Sequence, residues 1–210
     1  MDLTPITSRY NGRNMDDNFF QTVMIVALVM IVPIAVYYRM RSNATGEKLD
    51  RTQEGMFLLI GIRAFAAVHF LGVFAFFISP SFMSWSALPA PTWLRLIGVL
   101  CALLGGLLWI TTFHYLGKNL TDTVVTRKDH SLVTNGPYAY IRHPFYISFG
   151  LLVIANGLAT ANWFIFISGA LVFLLLYLRT AKEEARLIER FGDAYRSYMR
   201  TTGRFLPKLE

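Results

Sequence analysis

The sequence contains a single cysteine, Cys101, among 210 residues. One cysteine cannot form an intramolecular disulfide, and it cannot supply the several thiolates of a cysteine-based metal site. Charge is also scarce, because only 16% of the residues are charged whereas 54% are hydrophobic. An ordinary soluble domain has more charged and fewer apolar residues. These shortages exclude a disulfide framework and indicate an integral membrane protein.

Five apolar segments predict five membrane-spanning helices, at residues 19–38, 56–78, 93–115, 145–159 and 163–178. The first three approach the ~20 residues that cross about 30 Å of hydrocarbon. The last two are shorter and predict a tight helical hairpin. The predicted fold is therefore all-α, with residues 1–210 forming one membrane domain.

An amphipathic helix on the cytosolic side is expected after the hairpin. Its apolar residues recur at helical spacing, and basic residues occupy its other face. These apolar residues are Leu187, Ile188, Phe191, Tyr195 and Tyr198.

The distribution of basic residues predicts the orientation of the helices. Lysine and arginine crowd the first loop, the third loop and the C-terminal tail, and they are absent from the second loop at 79–92. The positive-inside rule then places the N-terminus outside and the C-terminus in the cytoplasm. Asp16 and Asp17 precede the first apolar segment, which favours a retained span over a signal peptide.

The net charge of +7 suits this interpretation. A basic cytoplasmic face attracts anionic membrane lipids, so the charge does not indicate nucleic-acid binding. We expect the cell inner membrane if the source is prokaryotic and the endoplasmic reticulum if it is eukaryotic. No obligate protein partner is inferred.

A polar segment with the sequence LVTNGPYAYIRHPFY, residues 132–146, precedes the hairpin. Its Asn-Gly-Pro triplet predicts a turn, and Pro144 suits the first turn of the fourth span. Backbone amides at a helix start favour a carboxylate or phosphate, and Arg142 and His143 lie directly before this one. A simple loop entering a helix is the alternative, but the basic and aromatic cluster indicates a site for an anionic group.

Two adjacent carboxylates, Glu183 and Glu184, follow the fifth span and return to the same predicted membrane face. Arg179 lies four residues before Glu183 and therefore on the same face of a helix. This pair could bind a zwitterion or a charged head group. For Glu184 and Glu189, solvated charges at a helix end are an equally good interpretation.

Ionisable residues also occur inside or near the predicted spans. Such residues are costly in hydrocarbon and are functional candidates by default. Arg63 lies about two turns from the cytoplasmic end of the second span, where its side chain could also extend to the membrane surface. For His69 the favoured interpretation is a hydrogen bond between helices, and Arg95 and His114 are expected at the interface.

The segment HSLVTNGPYAYIRHPFY, the apolar hairpin and the segment RTAKEEARLIERFGDAYRSYMRTTGRFLP together resemble the isoprenylcysteine carboxyl methyltransferase family. They are similar also to the wider group that includes phospholipid N-methyltransferases. The resemblance covers about residues 117–207 and implies S-adenosyl-L-methionine as a cofactor bound on the cytoplasmic side. The implied cofactor contacts are His130, Leu132, Val133, Tyr138, His143, Pro144, Tyr146 and Glu183.

The resemblance implies methyl transfer to a lipophilic small molecule or lipid, and it favours carboxyl O-methylation. Arg142 and His143 suit the carboxylate of the cofactor, and Glu183 suits its ammonium or ribose hydroxyls. Arg179 matches the substrate-side arginine of the family, so Arg179 and Glu183 are the predicted catalytic residues. Such a transfer is an in-line displacement that needs positioning and a dry pocket but no covalent nucleophile.

The acceptor itself stays open between a carboxylate, an amine and a thiol. Other members of the family have a Trp-Ser pair where this chain reads Asn119-Leu120-Thr121.

Two other functions are also open. Membrane sterol reductases have a similar C-terminal hairpin that binds a nicotinamide cofactor, although they have more spans than 210 residues can hold. The second alternative function is that of a non-catalytic membrane sensor or scaffold.

Overall fold

The computed structural model describes residues 4–44, 55–120 and 131–208. Its described part consists of helices and short turns, and extended residues meet only in two isolated bridges there. The α-helices are α1 (Thr4–Asn43), α2 (Met56–Ile78), α3 (Thr92–Leu116), α4 (Pro144–Thr160), α5 (Trp163–Phe191) and α6 (Asp193–Thr201). Short 3₁₀ turns cover Pro80–Ser86, Gly117–Asn119 and Gly136–Ala139.

Four of these helices are long and apolar enough to cross a membrane: α1 over Asp16–Ser42, α2, α3 and α5. Helix α4 is also apolar but has only 17 residues. At 1.5 Å per residue it is about 25 Å long, which is short for a hydrocarbon core of about 30 Å. The all-α membrane fold is therefore confirmed, and the fifth span stays a prediction.

The predicted ends of the spans agree with the ends of the helices wherever the hydropathy of the sequence alone determines where a helix stops. Helix α2 has the predicted bounds, and α3 and α4 each extend one residue further at both ends. Helix α1 begins at Thr4, well before the predicted start at residue 19, and α5 continues past residue 178 to Phe191.

The single amphipathic helix expected after the hairpin is instead divided between two elements. Its first part is the continuation of α5, because no glycine or proline interrupts residues 170–191. The break falls at Gly192, whose φ of 56° ends α5 and lies in the region that favours glycine. Helix α6 follows and carries the remainder, including Tyr195 and Tyr198.

The hairpin between α4 and α5 turns at Ala161 and Asn162. Asn162 is buried, and its Oδ1 atom caps α5 by accepting from the Ile165 amide at 3.1 Å. The same side chain accepts from Ser86 Oγ at 3.0 Å and donates from Nδ2 to the Met83 carbonyl at 3.0 Å. The hairpin tip is therefore fixed to the 3₁₀ turn between α2 and α3.

Helices α3 and α4 pack closely because glycines of α3 face the α4 backbone. A Cβ atom added at Gly98 would lie 2.6 Å from the Ala159 nitrogen and 3.1 Å from the Ala155 carbonyl oxygen. Only a residue without a side chain permits this approach. The contact holds the end of α4 close to the start of α3.

Arg95 was expected at the membrane interface, which stays a prediction, and its side chain is buried within the protein. Its guanidinium donates to the Ala159 carbonyl at 2.9 Å and to Asp17 Oδ1 at 2.7 Å, and it lies 4.1 Å from the centre of the Phe20 ring. The Arg95 side chain thus donates a hydrogen bond to a carbonyl at the end of α4 and joins three helices, α1, α3 and α4.

The hydrogen bond predicted for His69 is confirmed, since its Nδ1 lies 3.2 Å from Ser168 Oγ.

Candidate active site

The turn before α4 is held in place by the C-terminal tail. The Gly136–Ala139 turn begins at a glycine with a φ of 60°. The chain then runs parallel to the tail, where the Arg142 amide donates to the Gly203 carbonyl at 2.9 Å and the His143 amide donates to the Arg204 carbonyl at 3.1 Å. Helix α4 starts directly afterwards at Pro144, as the sequence predicts.

A buried carboxylate, Glu184, joins the turn, α5 and the tail. Its Oε1 atom accepts from Arg142 Nε at 2.9 Å and lies 3.1 Å from His143 Nε2. Its Oε2 atom accepts from Arg204 Nη2. The Glu184 side chain is only 4% exposed, so the interpretation as a solvated charge is wrong. Because a buried carboxylate needs charged partners, the arginines and the histidine explain why it lies inside.

The second carboxylate, Glu183, faces a different neighbour. Its Oε2 atom accepts a hydrogen bond from the Tyr146 hydroxyl at 2.6 Å. Tyr146 is in the first turn of α4. This bond therefore connects the two arms of the hairpin at the end opposite Ala161 and Asn162, beside the turn that precedes α4. Adjacent residues on a helix point about 100° apart, and Glu183 and Glu184 therefore have separate sets of partners.

Two tyrosines close the site from the side of the tail: Tyr198 on α6 and Tyr138 in the turn before α4. The Tyr198 hydroxyl donates to the Tyr138 carbonyl at 2.6 Å. Burial raises the pKa of Tyr198 to about 12, although the nearby Arg142 guanidinium opposes this shift. Burial also raises the pKa of the Tyr138 phenol. Both hydroxyls are therefore neutral hydrogen-bond donors at physiological pH.

These residues surround a cavity of about 420 Å³. This volume is within the range of roughly 300–1,000 Å³ that is typical of ligand sites. Eight of the predicted site residues line it: Leu132, Val133, Tyr138, Arg142, His143, Tyr146, Arg179 and Glu183. Pro144 is buried at the first position of α4 and is not a lining residue. His130 lies outside the described residues.

Arg142 has several protein partners in addition to its place in the cavity wall. Beside Glu184, its Nη1 atom donates to the carbonyl oxygens of Thr202 and, at 3.4 Å, Met199. The position of Arg142 in the cavity wall agrees with the predicted site. Its contact with a cofactor stays a prediction.

Several lining residues were not in the predicted site. They come from all six α-helices and from residues 119–120: Arg39, Ile62, Arg63, Ala66, Phe113, Leu116, Asn119, Leu120, Phe145, Phe149, Val172, Leu176, Leu187, Tyr195 and Tyr198. The only sign in the sequence that Arg63 belongs to a site was its position as a charged residue within an apolar span. No local pattern brings Arg39 to this cavity, because its place depends on how α1 packs.

The fold and the cavity define this chain as an all-α integral membrane protein with a cavity lined by charged side chains at one end of its helices. The sequence model of the isoprenylcysteine carboxyl methyltransferase (ICMT) family matches residues 96–189. This match confirms the resemblance predicted from the motifs.

Individual proteins agree with the family match. A protein-S-isoprenylcysteine O-methyltransferase of Schizosaccharomyces pombe is 34% identical over 119 residues, which are 54% of this chain and 48% of that protein. The protein of the same name from Homo sapiens is 33% identical over 129 residues, or 60% of this chain and 45% of that protein. The chain thus spans about half the length of the curated relatives it matches.

A solved structure of the eukaryotic intramembrane Ras methyltransferase ICMT has a similar fold. The two structures align with a TM-score of 0.50 at 20% sequence identity, over 90% of this chain and 74% of that one. At this identity the likeness concerns the fold alone. It agrees with the membrane fold described above.

Proposed function

We propose that this protein transfers a methyl group from S-adenosyl-L-methionine to a lipophilic acceptor, with a carboxylate as the favoured methyl-accepting group. The observation that carries the proposal is the convergence of three separate segments on one cavity. Leu132, Val133 and Tyr138 come from the segment before the hairpin, Tyr146 from α4, and Glu183 from α5. These positions match the motifs that the family uses for its cofactor.

The residues present suit this cofactor. Among the described residues, only Tyr146 hydrogen-bonds to Glu183, and it does so through Oε2. The other oxygen, Oε1, can accept from an ammonium or from ribose hydroxyls. Leu132 and Val133 offer an apolar wall for an adenine ring. The bound cofactor would supply an electrophilic methyl group.

The protein's part in the transfer is positioning. Arg179 lines the same cavity and lies one helical turn before Glu183. A guanidinium presents a planar pair of donors that fits a carboxylate or phosphate, so Arg179 would orient the acceptor. A carboxylate acceptor needs no general base, because it is already ionised at neutral pH. The lining side chains would also exclude water and so keep the methyl donor and the acceptor aligned.

The proposal includes the setting of the reaction. The cavity would open at the cytoplasmic face of a cell inner membrane or of the endoplasmic reticulum, as the positive-inside rule favours. The acceptor's tail would lie in the bilayer, and its reactive end would enter the cavity between helices. Membrane lipids are then the protein's surroundings and a source of acceptors.

Purified protein in an uncharged detergent allows a direct test. Calorimetric titrations with S-adenosyl-L-methionine and with NADPH should show binding of the first and no binding of the second. Labelled cofactor should then transfer its methyl group to one of three acceptor classes: prenylated thiols with a free carboxylate, isoprenoid acids, or phosphatidylethanolamine. Binding of NADPH alone would favour the reductase, and binding without transfer to any acceptor would favour a sensor.

A further inference from the structure

A tyrosine outside the predicted cofactor contacts, Tyr195 on α6, lines the cavity. Tyr195 is only 1% exposed, and among the described residues none forms a hydrogen bond with its hydroxyl. A buried tyrosine hydroxyl usually has a hydrogen-bond partner. The polar end of Tyr195 therefore suits a group that a ligand brings into the cavity.

The Tyr195 hydroxyl is open to the cavity and is not sealed inside the protein. In the described part of the chain, it is not one of the fully enclosed polar atoms that lack a partner. Its ring packs against the ring of Tyr198, with the centroids 5.9 Å apart and the planes at 61°. The protein thus holds the ring in place and leaves the hydroxyl to a molecule in the cavity.

Two carboxylates lie near this hydroxyl. Burial raises the pKa of Tyr195 above its ordinary value, and the negative charges of Glu184 and Glu183 raise it further, whereas Arg142 opposes the shift. The phenol therefore stays protonated at physiological pH and is a neutral hydrogen-bond donor. Because Glu183 lines the same cavity, a donor and a carboxylate acceptor face the ligand close together.

The basic side chains that suit the cofactor's carboxylate are already engaged by the protein. Each nitrogen of the Arg142 guanidinium has a protein acceptor. Nε and Nη2 both lie 2.9 Å from Glu184 Oε1, and Nη1 donates to the carbonyl oxygens of residues 199 and 202. His143 Nε2 lies 3.1 Å from the same Glu184 atom. A carboxylate in the cavity therefore needs another donor.

We infer that the Tyr195 hydroxyl donates a hydrogen bond to the carboxylate of bound S-adenosyl-L-methionine, while Glu183 accepts from its ammonium. This inference rests on the proposed function and adds a positioning contact to it. The carboxylate and the ammonium of this cofactor are attached to one carbon atom, so neighbouring side chains must bind them. A hydrogen bond to an anion is also stronger than one to a neutral ribose hydroxyl.

Calorimetric titration of the full chain in an uncharged detergent tests this contact with two cofactors. One is S-adenosyl-L-methionine, and the other is its decarboxylated form, which keeps the ammonium, the sulfonium and the adenosine. We expect Tyr195→Phe to weaken binding of the first about tenfold, the usual scale for one lost bond to a charged group. Binding of the decarboxylated form should stay within twofold.

Tyr140→Phe is the matched control for these titrations. It loses the same hydroxyl, but Tyr140 is 68% exposed and does not line the cavity. Both cofactors should therefore bind Tyr140→Phe within twofold of the unaltered protein.

The unfolding temperature without any ligand separates a ligand contact from a structural one. Tyr195→Phe should unfold at the temperature of the unaltered protein, because no described residue hydrogen-bonds to its hydroxyl. Tyr198→Phe should unfold at a lower temperature, since it loses the bond to the Tyr138 carbonyl at 2.6 Å. A lower temperature for Tyr195→Phe, or its failure to fold, would show that this hydroxyl serves the fold and would overturn the inference.

Two binding results would also overturn the inference. Tyr195→Phe could bind S-adenosyl-L-methionine as tightly as the unaltered protein, in which case the hydroxyl binds no part of the cofactor. Tyr195→Phe could weaken the binding of both cofactors equally, in which case the hydroxyl contacts the ribose or the adenine. In either case the unaltered protein still binds the cofactor, and the proposed function stands. If the unaltered protein binds neither cofactor, the proposed function fails together with this contact.

Discussion

Glu184 shows how far a single residue can depart from its local pattern. Glu183 and Glu184 are adjacent and chemically identical, and the sequence indicated that both lie at a helix end. Glu184 is buried beside Arg204, which lies 20 residues away in the chain and returns to Glu184 only after α6. Such long-range contacts leave no periodic trace in a sequence. The family motifs could therefore point to Glu183 as a predicted site residue. The burial of Glu184 and its ion pairs could be seen only in the structure.

We expect Glu184→Ala to lower the free energy of unfolding by about 3–5 kcal/mol, because Arg142 and Arg204 would lose their buried counter-ion. Thermal unfolding in detergent, followed by intrinsic fluorescence, would measure the change. Glu189→Ala is the control, since the Glu189 side chain is 64% exposed and pairs with Arg186 at the surface. Equal unfolding temperatures for the two variants would show that Glu184 does not stabilise the fold.

Arg179 should affect turnover more than cofactor binding. A lysine in its place keeps the positive charge and the reach of a membrane-surface anchor, but it loses the planar fork that orients an acceptor. We therefore expect Arg179→Lys to lower methyl transfer by an order of magnitude or more, with S-adenosyl-L-methionine affinity near that of the unaltered protein. Single-turnover transfer with a working acceptor is the measurement. An unchanged rate would mean that other residues orient the acceptor.

At the scale of the elements, hydropathy predicted the membrane helices well and the cytosolic ends poorly. Within the bilayer, length and apolarity nearly decide the bounds, as for α2. Beyond it, the helical pattern of residues 179–191 simply continues α5, so composition gave a false boundary at 178. The close approach of α3 and α4 was also not foreseen, because a glycine in an apolar run has no distinctive pattern.

This close approach leads to a stability prediction. We expect Gly98→Ala to destabilise the protein by about 1–3 kcal/mol, because the added methyl would meet the Ala159 backbone at 2.6 Å. Gly61→Ala should cost less, since its methyl would meet only the tip of the Leu175 side chain at 3.2 Å. The unfolding temperatures of both variants in one detergent compare them. A smaller loss for Gly98→Ala would contradict the described packing of α3 on α4.

At the scale of the whole molecule, the proposed orientation and the fifth span can be tested together. An odd number of spans places the 3₁₀ turn after α2 and helix α6 on opposite sides of the membrane. Ser84 and Ser197 are exposed in these elements. With Cys101 replaced, single cysteines at the two positions should react with an impermeant thiol reagent from opposite sides. Labelling of both from the same side would contradict five spans.

The central claim is that the cavity between α4, α5 and the tail binds S-adenosyl-L-methionine through Glu183. Calorimetric titration of this cofactor into the unaltered protein, Glu183→Ala and Glu189→Ala tests it most directly. We expect about tenfold weaker binding for Glu183→Ala, the usual scale for one lost bond to a charged group, and unchanged binding for Glu189→Ala. Equal affinity in all three proteins, or no binding to the unaltered protein, would contradict the account.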